Sequence, residues 1–339
     1  MEQLISGYCN GQLSCKFHIS IDLILVPTKL KNMKITNTYK LPLLLALCSA
    51  SWAHAQNFAP QNTPVGSVIT SLNVNAISQF NTNIGSGGSF NWQDANIHLN
   101  NRYQLDTNSS IGLNLRDGYQ NWSWGNVSGY GNKTPWKGIQ SPGVGLSYFQ
   151  RLEDGWSAGF APIVDWVAEN GVGTAGAATY GAIGSATKKY SDTLTIGLGT
   201  GVFRQVDKTK VFPYLLINWK IADKWTLNNP LPAGPSGGAG LELTYALADK
   251  WSIAGGGAYR SYRFRLSNSN YTPNGIGQNS FIPVFTRLSY AIDKRSSADL
   301  YLAANIGGKL SVTNADGGTA YSSNYSTGIA AALSLTTRF

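Results

Sequence analysis

Three histidines, three cysteines and 17 Asp plus Glu are the residues from which metal sites and the general bases of hydrolytic enzymes are most often built in a chain such as this one of 339 residues. Their placement argues against both. His18, His54 and all three cysteines (Cys9, Cys15, Cys48) fall in the first 55 positions, and His98 stands alone beyond them. A hydrolytic triad needs a base beside its nucleophile, and Ile97-His98-Leu99-Asn100 matches no lipase or protease motif. Metal chemistry needs clustered ligands, and neither H-E-x-x-H nor an EF-hand loop occurs. No glycine-rich phosphate loop joins a strand to a helix. The sequence thus reads as a protein without catalytic residues, cofactor or metal, in which His98 is a hydrogen-bonding side chain. A lipid-acting enzyme centred on His98 remains the alternative.

The first 55 residues form a separate segment. From Met33, MKITNTYKLPLLLALCSASWAHA offers Lys34 and Lys40, a short apolar stretch from Leu41 to about Ala53, and the small-x-small site Ala53-His54-Ala55. This is the layout of a secretory signal peptide, too short to span a bilayer. Cleavage is expected before Gln56. Leu47 ahead of Cys48 argues against a lipid-modified cysteine. Met1–Asn32 precedes a complete signal and is expected to be a spurious extension, which N-terminal mapping of a tagged precursor would test. The mature chain then has no cysteine, so no disulfide framework or thiol nucleophile.

Composition narrows the class. Only 13% of residues are charged, against roughly 25% in a soluble domain, while Gly numbers 38, Tyr 17 and Trp 10. Beyond Ala55 there are 21 Lys plus Arg against 15 Asp plus Glu, scattered without a basic run, so nucleic acid is not an expected partner. No apolar stretch there reaches the ~18 residues of a membrane helix.

The pattern that remains is alternation. IADKW at Ile221–Trp225 returns as LADKW at Leu247–Trp251. Around the second copy, Leu241, Leu243, Tyr245 and Leu247, then Trp251, Ile253, Gly255 and Gly257, occupy every second position, the period of a strand. Folding at Asp249 sets Tyr245 against Ile253 and Leu243 against Gly255, so both apolar faces coincide in one register. Ala248-Asp249-Lys250 reads as a hairpin turn. Similar turns are expected at Leu152–Trp156 (Tyr148 opposite Phe160), Tyr190–Leu194 (Ala186 opposite Leu198) and Ile221–Trp225 (Trp219 opposite Leu227). Asp106–Ser110 should set Leu105 against Ile111, and Asp293–Ser297 should set Ile292 against Ala298. Each of the six carries an Asp. Between them lie longer polar segments: Asp117–Pro142, Glu169–Gly176, Gln205–Lys210, Asn228–Gly238, Ser267–Asn279 and Lys309–Thr327. Short turns alternating with long loops characterise transmembrane barrels. With a first strand near Ile69–Phe80 and a last at Gly328–Phe339, the expectation is an all-β antiparallel up-and-down barrel over residues 69–339. It has about 14 strands, or 12 if the one broken by Asn228-Asn229-Pro230 fails. Gln56–Val68 would be a short periplasmic N-terminus. A soluble β-barrel or sandwich, with its apolar residues inward, is the alternative.

On these residues the chain resembles Gram-negative outer-membrane β-barrel proteins over nearly its whole mature length. The last strand, GIAAALSLTTRF, alternates and ends on Phe339. In that family a terminal aromatic is the signal read by the barrel-assembly machinery, a role the resemblance gives to Phe339. The resemblance is nearest to medium-sized barrels of the porin or transport type, some linked to aromatic or hydrocarbon uptake. It implies export to the outer membrane, with lipids, the assembly machinery and small solutes as partners and the oligomeric state open. NNPLPAGPSGGAGLEL (Asn228–Leu243) suggests a family signature without suggesting a role.

Alternation also sorts the faces. Ala95, Ile97, Leu99, Tyr103 and Leu105 should meet lipid. The lumen should receive Arg102, Arg116, Arg151, Asp165, Glu242, Arg260, Arg287 and Asp299, either lining a charge-selective path that slightly favours anions or pairing to hold the barrel's shape. Gly197, Gly199, Gly201, Gly256 and Ala258, with Phe149, Phe203, Phe281 and Phe285, would make the lumen partly apolar. Trp156, Trp225, Trp251 and Tyr190 suit a periplasmic girdle. Trp122, Trp124, Tyr130 and Trp136 would lie in the first long loop, either stacking on a ligand or folding that loop onto the barrel. The expected function is passive passage of small solutes, including small apolar or aromatic ones. A structural or adhesive barrel with a closed lumen is the remaining alternative.

Overall fold

The structure, a computed structural model, describes residues 63–339. The expected extension, the signal peptide and most of the N-terminal segment lie outside the described residues. Eighteen β segments make one sheet, antiparallel throughout except for a single parallel bridge between Arg265 and Ala168. They are β1 (Val68–Asn83), β2 (Ser89–Gln104), β3 (Ser109–Gly125), β4 (Gly138–Gln140), β5 (Gly143–Arg151), β6 (Trp156–Trp166), β7 (Ala168–Glu169), β8 (Ala178–Lys189) and β9 (Leu194–Gln205). Then come β10 (Lys208–Ala222), β11 (Trp225–Asn228), β12 (Leu241–Ala248), β13 (Trp251–Gly257), β14 (Arg260–Arg265), β15 (Ile276–Ala291), β16 (Ser297–Thr313), β17 (Thr319–Asn324) and β18 (Gly328–Arg338). Four pairs, β4 with β5, β6 with β7, β13 with β14 and β17 with β18, are single wall strands interrupted by a kink, which leaves 14. β1 pairs with both β2 and β18, so the barrel closes on itself. Closure removes the edges that hydrocarbon cannot solvate. No helix among the described residues is long and apolar enough to cross a membrane, so any crossing falls to strands.

Burial follows the alternation. Ile97, Tyr103, Leu113, Leu146, Phe160, Leu198, Val284, Leu300, Leu302 and Ile329 stand exposed on the outer surface. Their neighbours Asp94, Gln104, Phe203, Phe285, Asp299 and Ser334 are buried within. Apolar groups outside and polar groups inside is the arrangement lipid selects, and it overturns the soluble alternative. The two D-K-W phrases build the same module at the short-turn end. Trp225 packs on Tyr245 at 4.7 Å and Trp251 on Tyr290 at 4.6 Å. Lys224 and Lys250 each sit 5.9 Å from the centre of the Tyr ring their Trp touches. Amphipathic rings capped by a cation suit the boundary between acyl chains and headgroups.

Four turns have the expected pairing: Tyr245 with Ile253, Tyr148 with Phe160, Ala186 with Leu198 and Trp219 with Leu227. Two do not. Tyr103 faces Ile111 and Tyr290 faces Ala298, each two residues from the expected register. The cause is local: the Asp106 carboxylate accepts from the amides of Asn108 and Ser109, and Asp293 from those of Arg295 and Ser296. The side chain thus closes a three-residue turn. A slip of two preserves every side chain's face, so the sorting survived it.

The expected long loops are shorter than drawn. β3 runs on to Gly125, β16 to Thr313, and β15 begins at Ile276. Gln205–Lys210 is a tight hairpin, with Val206 at φ 55°. On the upper strands the polarity inverts while the phase holds: Asn91, Gln93, Asn121 and Ser123 point out, and Phe90, Trp92 and Trp122 point in. Alternation read as lipid-out, polar-in ends the strands where they rise above the apolar belt.

One stretch of wall lacks strand pairing. β10 pairs with β9 along Lys208–Trp219 but meets β11 only from Asn218, because β11 is four residues long. Pro213 sits in the freed edge, where the missing N–H removes no ladder bond. The Asn229 side chain stands in for a strand, accepting from the Ile217 amide at 2.8 Å and donating to Leu215 and Gly240 carbonyls at 2.9 and 2.7 Å.

Candidate functional site

Two apolar clusters narrow the lumen, one at its outer end and one running from the outer hairpin at residues 205–208 down to the middle of the wall. In the larger, Phe90, Trp92, Trp122, Trp136, Phe264 and Tyr325 are at most 7% exposed. Trp122 stacks between Trp92 and Trp124 at 5.5 and 5.4 Å, and Trp136 meets Trp122 and Trp124 edge-on. Three polar tips find partners, Trp92 Nε1 donating to Gln79 at 2.8 Å, Trp124 Nε1 to the Trp136 carbonyl at 2.6 Å and the Tyr325 hydroxyl to Asn279 at 3.0 Å, whereas the Trp136 indole N–H is buried without one. Trp122 and Trp124 belong to β3 rather than to a loop. Trp122, Tyr130 and Trp136 are buried, and Tyr130 bonds Thr272, its hydroxyl pKa pushed up by burial. The four aromatics drawn as an outer-loop set are therefore a packed core inside the barrel mouth, with the loop folded onto it.

The second cluster explains two sequence features together. Ile183, Phe203, Tyr214 and Leu216 pack against Ala233 and Ala239. The last two belong to residues 229–240, the segment that carries the proline- and glycine-rich phrase, and it folds into the lumen rather than away from it. Gln205 Nε2 donates to the Pro235 carbonyl, the Ser261 amide to Ser236 at 2.8 Å, and Arg260 to Gly238 at 3.2 Å. Opposite it, the rings of Tyr214 and Phe212 lie over Gly199 and Gly201, where any Cβ would overlap them. Lumenal glycines thus make room for the rings of the next strand.

Below the first cluster and beside the second runs a cavity of about 820 Å³, bounded by Trp92, Phe264 and Phe281 above, lined by Ile183, Tyr214 and Leu216 at its side, and reaching Arg102 and Arg338 at the short-turn end. Leu231–Ser236 projects into it. Its middle carries the charged residues. Arg116 pairs with Asp165. Arg287 binds Glu242 through Nε at 3.0 Å and through a second nitrogen, and Asp299 at 2.9 Å. Both carboxylates are essentially sealed, at 0% and 3% side-chain exposure. Five of the eight expected lumenal charges are thus tied to one another. Arg260 is buried against the inward segment, Arg151 lies at the rim and reaches the Thr107 carbonyl at 3.4 Å, and Arg102 faces the cavity. His98 faces inward between Asn73 and Arg116 on the neighbouring strands. Among the described residues no three His, Cys, Asp or Glu group to hold a metal.

Sequence reasoning passed over Asp94, Arg263 and Arg338. Asp94 and Arg338 were legible, because the alternation that sends Ala95 and Phe339 outward sends their neighbours inward. Arg263 was not. It bridges the unpaired wall, gripping both oxygens of Asp207 at 2.8 and 2.6 Å, while Lys210 reaches Ser261 at 3.0 Å. Burial works to raise the Asp207 pKa, but the Arg263 hydrogen bonds and charge hold it below the ordinary value.

A closed barrel, apolar outside, ringed by aromatics at one rim and enclosing a cavity of solute size, is a transmembrane β-barrel. The chain belongs to the family described as a domain of unknown function (DUF6268), matched over residues 77–297. No curated protein sequence matches it. Among solved structures it is similar to an outer membrane channel from Pseudomonas putida F1, at 10% identity and TM-score 0.43, covering 82% of this chain and 97% of that one. It is also similar to a Pseudomonas aeruginosa FadL homologue, at 11% identity and TM-score 0.43, covering 80% and 90%. The P. putida toluene transporter TodX matches at 12% identity and TM-score 0.38, covering 86% and 93%.

Proposed function

We propose that this protein is an outer-membrane channel that passes small solutes passively, with size set by the inward segment and by the two apolar clusters. The observation that carries the reading is the cavity of about 820 Å³ inside the barrel, with side chains of mixed character facing it. Asn73, Asn75, Asn96 and Asn100 supply amides from β1 and β2, flanked by rings from Phe149 on β5 to one side and from Phe281, Phe285 and Tyr301 on β15 and β16 to the other. A path that offers both kinds of surface suits small solutes with an apolar or aromatic body and a polar end. The signal-like pattern read in the sequence at residues 33–55 and the apolar outer face of the barrel support the outer membrane as its location. His98 lies among lumenal amide and guanidinium groups, away from lipid, which speaks against a lipid-acting enzyme.

The test is swelling of proteoliposomes in neutral solutes of graded size. Swelling in small solutes such as benzyl alcohol and arabinose, fading for disaccharides, is the expected result. Rates no faster than protein-free liposomes, from protein that shows the heat-modifiable gel shift of a folded barrel, would favour the closed structural reading, in which the two clusters seal the lumen.

A further inference from the structure

Arg102 and Arg338 stand apart from the other lumenal charges. Arg102 comes from β2 and Arg338 from β18, on either side of β1, where Ile69 faces Arg102 and Ser71 faces Arg338. Two strand spacings and one inward step place their Cα atoms about 12 Å apart, and two extended guanidinium side chains can converge across that distance. Both line the cavity at its short-turn end. The ion pairs of the described residues include neither. Arg102 Nε is buried without a hydrogen-bond partner, although a buried donor ordinarily has one. The charges acting on Arg102 are cations, Arg338 and the rim residue Arg151. The cavity's carboxylates lie elsewhere: Asp165 is held by Arg116, and Asp94 and Asp117 belong to higher rungs of β2 and β3. The surroundings are hydroxyls: Ser110 and Ser147 lie on the strands beyond Arg102, and Thr336 lies one inward step above Arg338. The Thr336 hydroxyl is also buried without a partner.

Like charges gathered in a partly buried place, one with an orphaned donor, lack their counterion. We propose that Arg102 and Arg338 form a binding site for the carboxylate of a small solute at the periplasmic end of the lumen. This deepens the channel reading and rests on it for the solute's route. Planar guanidinium groups match a carboxylate through paired N–H donors. Phe149, one step from Ser147 toward the short-turn rim on the same strand, places an aromatic ring on the cavity wall beside the site, so an aromatic monocarboxylate fits better than a bare anion.

The experiment is equilibrium dialysis of radiolabelled benzoate against the folded full-length protein in detergent, beside R102Q, R338Q, the double variant and R102K. Arg102 and Arg338 pack on no apolar cluster, and the gel shift confirms folding in each case. Expected are saturable binding to the wild type, at least tenfold weakening in either Gln variant, loss in the double variant, partial retention in R102K, and no displacement by benzyl alcohol. Equal affinity in the double variant would overturn the site. Displacement by inorganic phosphate at concentrations no higher than benzoate's own would overturn the carboxylate assignment. Benzoate bound through both arginines in a barrel that passes no solute would keep the site and retire the channel. A conducting barrel with unchanged benzoate affinity in R102Q/R338Q would do the reverse.

Discussion

Arg287 is the most consequential single side chain in the wall. It serves two carboxylates, Glu242 on β12 and Asp299 on β16, from its place on β15 between them. Replacing it with Met keeps much of the volume and removes the one cation that pairs with either acid among the described residues. Two buried carboxylates would then face each other at 0% and 3% exposure. Removing one partner of a buried pair costs about 3–5 kcal/mol. Glu242→Gln is a different perturbation, because it leaves a one-to-one Arg287–Asp299 pair. Exchanging a charge-assisted hydrogen bond for a neutral one costs only about 1–1.5 kcal/mol. The double variant should fall below the sum of the two, since the cluster that suffers in R287M holds one charge fewer once Glu242 is neutral. Urea unfolding in detergent micelles, followed by Trp fluorescence, gives all three values. R287M no less stable than E242Q would refute the view that this arginine holds the wall together electrostatically.

Other perturbations test other parts. Leu302→Arg, on the outer face, should cost ~2–4 kcal/mol if it sits near the bilayer midplane, whereas Ala332→Lys, inward, should be tolerated; comparable losses of folded protein in lipid would contradict the face assignment. Trp136→Ala should cost about 3–5 kcal/mol and enlarge the solutes that enter proteoliposomes, and an unchanged size limit would mean that the outer aromatic cluster does not narrow the path. Hydrogen bonding from Ser109, then Asn108, lowers the Asp106 pKa, and the Arg295 and Ser296 amides do the same for Asp293. A depressed carboxylate stabilises above its unfolded value and loses that contribution as pH falls through the folded one, so both turns should loosen below about pH 3.8. Amide exchange at Ser109 and Ser296 that does not speed up in that window would show that the carboxylates are not closing these turns.

How much was legible in the residues follows from what period-two patterning can and cannot encode. It fixes which face a side chain takes, and so it placed Arg102, Arg116, Asp165, Glu242, Arg287 and Asp299 inside. It fixes register only modulo two, so the Asp106 and Asp293 turns slipped by one pair while every face stayed right. It says nothing about which arginine meets which acid. Nor does it reveal where the membrane ends: Trp122 and Trp124 sit on a strand whose outward residues turn polar, and that inversion reads as a loop. The phrase from Asn228 to Leu243 suggests no role by itself, because the inward fold of residues 229–240 depends on the short β11, on Pro213 in the facing edge and on partners such as Gln205 and Ser261. Those contacts are distant in sequence, and no local pattern announces them.

The central claim is that the lumen is a narrow conducting path. Single-channel recording of the folded protein in a planar bilayer tests it most directly. The account predicts discrete steps of small size, with a reversal potential in a salt gradient that favours anions and moves toward cations in R102Q/R338Q. Silence from heat-modifiable, folded protein would contradict it and leave a barrel whose lumen is sealed by its own aromatic core.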